Sequence, residues 1–142
     1  METKDKELLL KDLCARLPYG VKVEYNKCMC EVRLIDRIYE ELTIWKCPGY
    51  YHDVKLEDCK PYLFPMSNIT EEQRNDISKL LIDTQNECSP YGELNVKGCD
   101  NLFICVAKQA NIFINYCLTY HLDINGLIEK GLALDATGLN IY

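Results

Sequence analysis

Histidine is scarce in this 142-residue chain, with His52 and His121 the two examples. General acid–base and metal chemistry built on imidazole therefore has few starting points. Positive charge is also short: 16 Lys and Arg stand against 22 Asp and Glu, a formal net charge of −6. The deficit is uneven. Residues 1–40 hold eight of each sign, so residues 41–142 carry eight basic against fourteen acidic side chains and the whole −6. Counterion release from a duplex needs clustered Lys and Arg, so no duplex nucleic acid is expected as a partner. Long apolar runs are absent too. The longest, residues 102–107, is far too short to span a bilayer, and no membrane partner is expected. Met1–Lys6 carries charges of both signs and does not read as a secretory signal, which points to the cytoplasm. Three phosphate and nucleophile signatures are missing as well: Gly-x-Gly-x-x-Gly, the Gly-Lys-Ser/Thr loop and the Gly-x-Ser-x-Gly elbow.

Cysteine, by contrast, is abundant, with nine residues and no Cys-x-x-Cys pair. Cys28 and Cys30, with Cys47, Cys59 or His52, offer one conceivable zinc set. Alternate positions on a strand share a face, however, and a reducing compartment leaves thiols as small apolar side chains. Packing is the expected role, with no metal and no cofactor.

The apolar pattern opens with period 3.6. Leu9, Leu10, Leu13, Cys14 and Leu17 predict a helix over about residues 4–16, with Lys6, Glu7, Lys11 and Asp12 on its other side. Pro18-Tyr19-Gly20 ends it. The period then becomes two. Val21, Val23 and Tyr25 form one strand, and Asn26-Lys27 a turn. Cys28, Cys30, Val32 and Leu34 line the inner face of a second strand, opposite Met29, Glu31, Arg33 and Ile35. Ile38, Glu40, Leu42 and Ile44 line a third, opposite Tyr39, Glu41, Thr43 and Trp45. Residues 54–56 add a short fourth strand at an edge.

Residues 58–70 read as a proline-punctuated connector. Thr70-x-x-Gln73 is a capping box for a helix to about Asp83, with Ile77, Leu80 and Leu81 inward. Residues 85–101 read as a polar loop, and 102–106 fit either a strand or a helix. A helical stripe returns over residues 109–121, and Asp123 can cap a last short helix through Lys130, ended by Gly131. The expected fold is a single α+β domain over residues 1–142. It comprises an N-terminal helix, an antiparallel three- to four-stranded meander, then two or three helices packed on the sheet. A helix followed by strands also fits an Sm-like barrel by analogy.

Candidate chemistry is thin. His121-Leu122-Asp123 places an imidazole beside a carboxylate, which would favour its charged form, as would the end of a helix. The carboxylate pairs Glu40-Glu41, Glu57-Asp58 and Glu71-Glu72 demand no catalysis. More suggestive is the interleaving of aromatic and basic residues on the sheet. Lys22, Arg33, Arg37, Trp45, Tyr50 and Tyr51 are the candidate ligand-binding residues, since aromatic faces stack on bases and cations hold phosphate. A solvent face that merely carries Tyr and Arg explains each of them singly.

Three segments carry a resemblance: KDLCARLPYGVKV at 11–23, KPYLFPMSNITEEQ at 60–73 and HLDINGLIEKGLALDA at 121–136. Together they resemble a group of small proteins encoded by phages and prophages of Bacteroides-type gut bacteria. The chain departs from that group at Phe64 and Asn125, where arginine is frequent. The group has no agreed activity, so the resemblance implies context: a phage-derived accessory protein in the host bacterial cytoplasm. The expected function is non-catalytic binding of a small nucleotide-type ligand, for instance sequestration of a bacterial immune signal as counter-defence. A second subunit of a homo-oligomer would complete the pocket. An acidic protein-binding inhibitor or adaptor is the alternative, and a small hydrolase using His121 and Asp123 the weaker one. No catalytic residue is assigned.

Overall fold

The computed structural model describes residues 1–46, 49–88 and 98–142, with the side chains of 85–88 and 98–105 outside the description. Cys47 and Pro48 therefore lie outside the described residues, as does the middle of the loop expected over 85–101. The fold is α+β, with an N-terminal helix, a six-stranded sheet and two further helices among the described residues. The chain divides into two compact units, residues 1–66 with 118–142, and residues 67–117.

In the first unit α1 (Thr3–Arg16) buries Leu9 and Leu13, four residues apart and so on one face. Asp12 and Arg16 complete the same i, i+3, i+4, i+7 face and are buried as well. This corrects the outward placement of Asp12, which rested on the usual exposure of carboxylates. The helix tightens into a single 3-10 turn at Leu17–Tyr19. Gly20 then takes the left-handed conformation (φ 79°), and its N–H donates to the Leu17 carbonyl.

Four strands follow as an antiparallel meander: β1 (Lys22–Tyr25), β2 (Cys28–Asp36), β3 (Glu41–Lys46) and β4 (Tyr50–Lys55). Asn26 and Lys27 both have positive φ (49° and 60°), the geometry that matches a two-residue hairpin to the twist of its strands. At the next corner the Asp36 carboxylate accepts from the N–H groups of Ile38 and Tyr39. The inner face carries Val23, Cys30, Val32, Leu42, Ile44 and Val54, which meet Leu9 and Leu13 in one core.

One strand face departs from strict alternation. Val32 pairs with Ile44 but Leu34 pairs with Thr43, so the register shifts between Val32 and Leu34. The extra residue of this bulge turns Ile35 toward the core and leaves Leu34 half-exposed, the reverse of the expected order. Strand β4 is longer than expected and includes His52.

Two strands were not expected at all. After a 3-10 turn at Leu56–Asp58, β5 (Lys60–Leu63) pairs antiparallel with β1, inside the segment read as a connector. Pro61 masked it, because proline argues against a strand with neighbours on both sides. Its other neighbour is β6 (Leu134–Asp135), which runs parallel to it. The order is β4-β3-β2-β1-β5-β6, and among the described residues no ladder joins the two outer strands.

The helix expected over 123–130 does not form. Both Asp123 oxygens accept backbone N–H groups, from Leu127 and Ile128, but a series of turns follows, closed by Gly131 at φ 69°. Those turns bring Leu127 and Ala133 into the core.

The second unit holds α2 (Glu71–Cys88) and nearly all of α3 (Gly98–Thr119). The Thr70 hydroxyl accepts from the Gln73 N–H and the Gln73 amide oxygen accepts from the Thr70 N–H, a reciprocal capping box. Ile77 is buried on α2, whereas Leu80 faces outward. Residues 102–106 are helical, within α3. The Gln109 amide donates to the Leu81 carbonyl, tying α3 to α2.

Candidate functional site

The register of the meander sets where the aromatic and basic candidates stand. Lys22 lies opposite Glu31, Glu31 opposite Trp45, and Trp45 opposite Tyr51. Those four residues form one row across β1 to β4 on the outer face. Arg33, the exposed residue at the bulge, pairs with Glu31 at 3.0 Å (Nη2–Oε2). Tyr50 follows the opposite parity from Tyr51 and belongs to the other face, though both are exposed. Arg37 stands in the exposed turn between β2 and β3. The sheet thus brings Lys22, Arg33, Trp45 and Tyr51 to one surface and leaves Tyr50 and Arg37 off it. Acidic side chains share that surface: Glu31 sits in the row, and Asp53 accepts from the Thr43 hydroxyl at 2.7 Å.

A second constellation gathers where α1 ends and β1 begins. The Arg16 guanidinium is fully buried, with Nε 2.7 Å from Asp12 Oδ2 and Nη2 3.1 Å from Asp12 Oδ1. Nη2 also donates to the Leu122 carbonyl, and the Asn125 amide donates to Asp12 Oδ1. Leu122 is positioned by Phe64, the residue after β5: the Phe64 N–H donates to the His121 carbonyl and the Asp123 N–H to the Phe64 carbonyl. Between these bonds His121 has φ 53°, a left-handed backbone uncommon for a non-glycine residue.

The His121 ring stacks on Tyr142, with centroids 3.6 Å apart and an interplanar angle of 14°. Phe64 meets the Tyr142 ring edge-on at 6.1 Å. The Lys22 ammonium lies 5.5 Å from the Tyr142 centroid and donates to the Ile141 carbonyl. The Tyr142 hydroxyl accepts from the Lys22 N–H (3.2 Å) and donates to the Tyr62 carbonyl (2.9 Å).

Burial, followed by the nearby Arg16 charge, pushes His121 down to about 4 from 6.5. A hydrogen bond with the Tyr19 backbone opposes this, Lys22 adds to it, and Asp12 opposes it. The imidazole is therefore neutral at pH 7, contrary to the expectation that Asp123 or a helix end would favour its charged form. Asp123 instead spends its oxygens on the 127–128 turn. Desolvation of its hydroxyl lifts the Tyr142 phenol to about 12, so it remains a hydroxyl, while the residue as a whole is 42% exposed.

Among the described residues, two buried polar atoms in this constellation have no partner: Arg16 Nη1 and His121 Nδ1. Sequence reasoning missed Asp12, Arg16, Asn125 and Tyr142. A signal for the first two was present, since an i, i+4 ion pair there falls inside the Leu9–Leu13 stripe.

Among the described residues no three His, Cys, Asp or Glu side chains gather as a metal site, and no helix is long and apolar enough to cross a membrane. Cys30 and Cys59 are core residues and Cys28 packs against that core, while Cys47 lies outside the described residues. No protein-family model matches the chain, and no curated protein or solved structure shows significant similarity to it.

Proposed function

We propose that this chain is a non-catalytic binder of a small nucleotide-type ligand, acting as a phage-derived accessory protein that sequesters a bacterial immune signal. One observation carries the reading. The register aligns Lys22, Trp45 and Tyr51 in a single row, with the Arg33 guanidinium beside it. Aromatic faces stack on bases whatever their identity, and cations at their margin hold phosphate. The acidic residues nearby disfavour a long polyanion more than a small ligand bearing few charges.

The test is titration of the full chain with AMP, GMP, CMP, UMP and a cyclic dinucleotide, repeated on Trp45→Ala and Arg33→Ala. Both side chains are partly solvent-exposed, so circular dichroism should report an intact fold. Loss of one stacking partner should weaken binding about tenfold. Affinity unchanged in both variants would remove the sheet face from the reading.

A second reading, a protein-binding adaptor, has its own observation. Ile38 and Tyr39 are 85% and 73% exposed at the β2–β3 turn, and Leu34 and Met29 are also exposed on β2. Ile38→Asp should then abolish co-purification of a protein partner that wild type retains. Retention by both forms would count against this surface.

A further inference from the structure

We infer that the slot walled by His121, Phe64 and Lys22 is a binding site for the planar ring of a nucleotide, which the chain fills in cis with its own Tyr142. The inference rests on the nucleotide-binding reading but moves the base from the Trp45 and Tyr51 row to the margin of the sheet beside β1 and β5.

The shape of the contact fits a flat ring first of all. Tyr142 lies on His121 at 3.6 Å and 14°, the parallel contact that one flat ring makes with another, while Phe64 closes the side edge-on. His121 is held for this contact by a left-handed backbone, and such outliers persist only where their surroundings enforce them.

The edge of the slot is the second such feature. Val23 pairs with Pro61 and Glu24 with Lys60, so the register sets Lys22 opposite Tyr62. There the Tyr142 hydroxyl sits between the Lys22 N–H and the Tyr62 C=O and bonds to both. With the phenol gone, one backbone donor and one backbone acceptor face the slot. Every nucleobase presents an acceptor beside a donor on its Watson–Crick edge, and proteins that take up single bases read that edge.

Unused bonding capacity is the third. The Lys22 ammonium is satisfied by a neutral carbonyl, Ile141, where a phosphate would make a stronger charge-assisted bond. Arg16 Nη1 and His121 Nδ1 are buried without partners among the described residues, on residues 0% and 3% exposed. Buried polar atoms are nearly always paired, and an unpaired ring nitrogen on a wall of the slot, with an unpaired donor on Arg16, whose charge acts on both His121 and Tyr142, fits a missing polar ligand.

The experiment titrates AMP, GMP, CMP and UMP against the full chain, Tyr142→Ala, Tyr142→Phe, and Tyr142→Ala combined with His121→Ala. Emptying the slot should raise the affinity for at least one mononucleotide about tenfold, because the full chain spends most of its time with the slot occupied. Tyr142→Phe keeps the ring and loses the hydroxyl bridge, so it should fold even if the alanine variant does not, and its gain should be about threefold. The added His121→Ala should cancel the gain. Equal affinity in all four forms, lost on Trp45→Ala, would overturn the slot and leave the sheet-face reading standing. Binding to none of them would overturn the slot and the nucleotide reading together.

Discussion

Arg16 and Asp12 meet inside the protein, one turn apart on α1, with both side chains 0% exposed and Nε 2.7 Å from Oδ2. Two further groups join the pair: Asn125 donates to the carboxylate and the Leu122 carbonyl accepts from the guanidinium. The pair therefore fastens α1 to the 121–125 segment. Removing one member of a buried pair leaves the other charge unmatched, at a cost of about 3–5 kcal/mol. Asp12→Ala should lose most of the chain's resistance to urea, whereas Asn125→Ala, which removes one hydrogen bond, should cost about 1 kcal/mol. Equal midpoints for Asp12→Ala and wild type in urea melts would show that the pair is not the fastening.

His121 makes stability depend on mild acid. Its folded-state value, about 4, lies below the ordinary 6.5, so between those values the unfolded chain binds the extra proton. Stability rises with pH wherever the unfolded state holds more protons. The contribution is thus complete above about pH 6.5, shrinks as pH falls, and is exhausted below about pH 4. His121→Phe keeps a ring against Tyr142 but cannot titrate. Thermal melts across this range should fall for wild type and flatten for the variant, and parallel slopes would exclude His121 as the cause.

How far the sequence reveals this molecule depends on which signal each element carries. Period-two alternation with an Asn-Lys turn places the first hairpin, because faces and turn chemistry are both local. The bulge at Arg33 is invisible to that reasoning, since every residue from Cys28 to Ile35 continues an acceptable pattern and only the partner strand reveals the shift. Strand β5 hides behind Pro61, and β6 is two residues long, held by a partner some seventy positions away. At the site, Lys22 and Trp45 follow from strand parity alone, whereas Tyr51 needs the full length of β4, which the sequence marks only from residue 54. The stack of His121 on Tyr142 needs the whole return of the 121–142 segment to β5, which no local pattern encodes.

The capping box on α2 offers a clean local test. Thr70 and Gln73 each satisfy the other's backbone N–H at a helix start, where those groups otherwise lack partners. Thr70→Ala should destabilise the first turn by about 1 kcal/mol. Amide hydrogen exchange should accelerate at residues 72–75 and stay unchanged in β2 and β3. Exchange that is uniform along α2 would show that packing, not the cap, holds its start.

Cysteine reactivity gives the last prediction, because burial and thiolate chemistry act on it in the same direction. Cys59 is 1% exposed, and burial, with Asp58 adding to it, lifts its thiol to about 12. Burial raises Cys30 as well, while Cys14 and Cys28 are partly accessible. Alkylation proceeds through the thiolate, so near pH 8 a thiol titrating at about 12 presents roughly a thousandfold less nucleophile than one titrating at 9. Among the described cysteines, iodoacetamide on the folded chain should mark Cys14 and Cys28 first and leave Cys59 and Cys30 until the fold opens. Site-resolved mass spectrometry reads the order directly. In urea above the midpoint, Cys59 should approach the reactivity of Cys14, since its burial, the larger cause, does not survive unfolding. Early labelling of Cys59 in the folded chain would mean that β5 separates from β1 without global unfolding. The short two-pair ladder between those strands would then be the weak seam of the sheet.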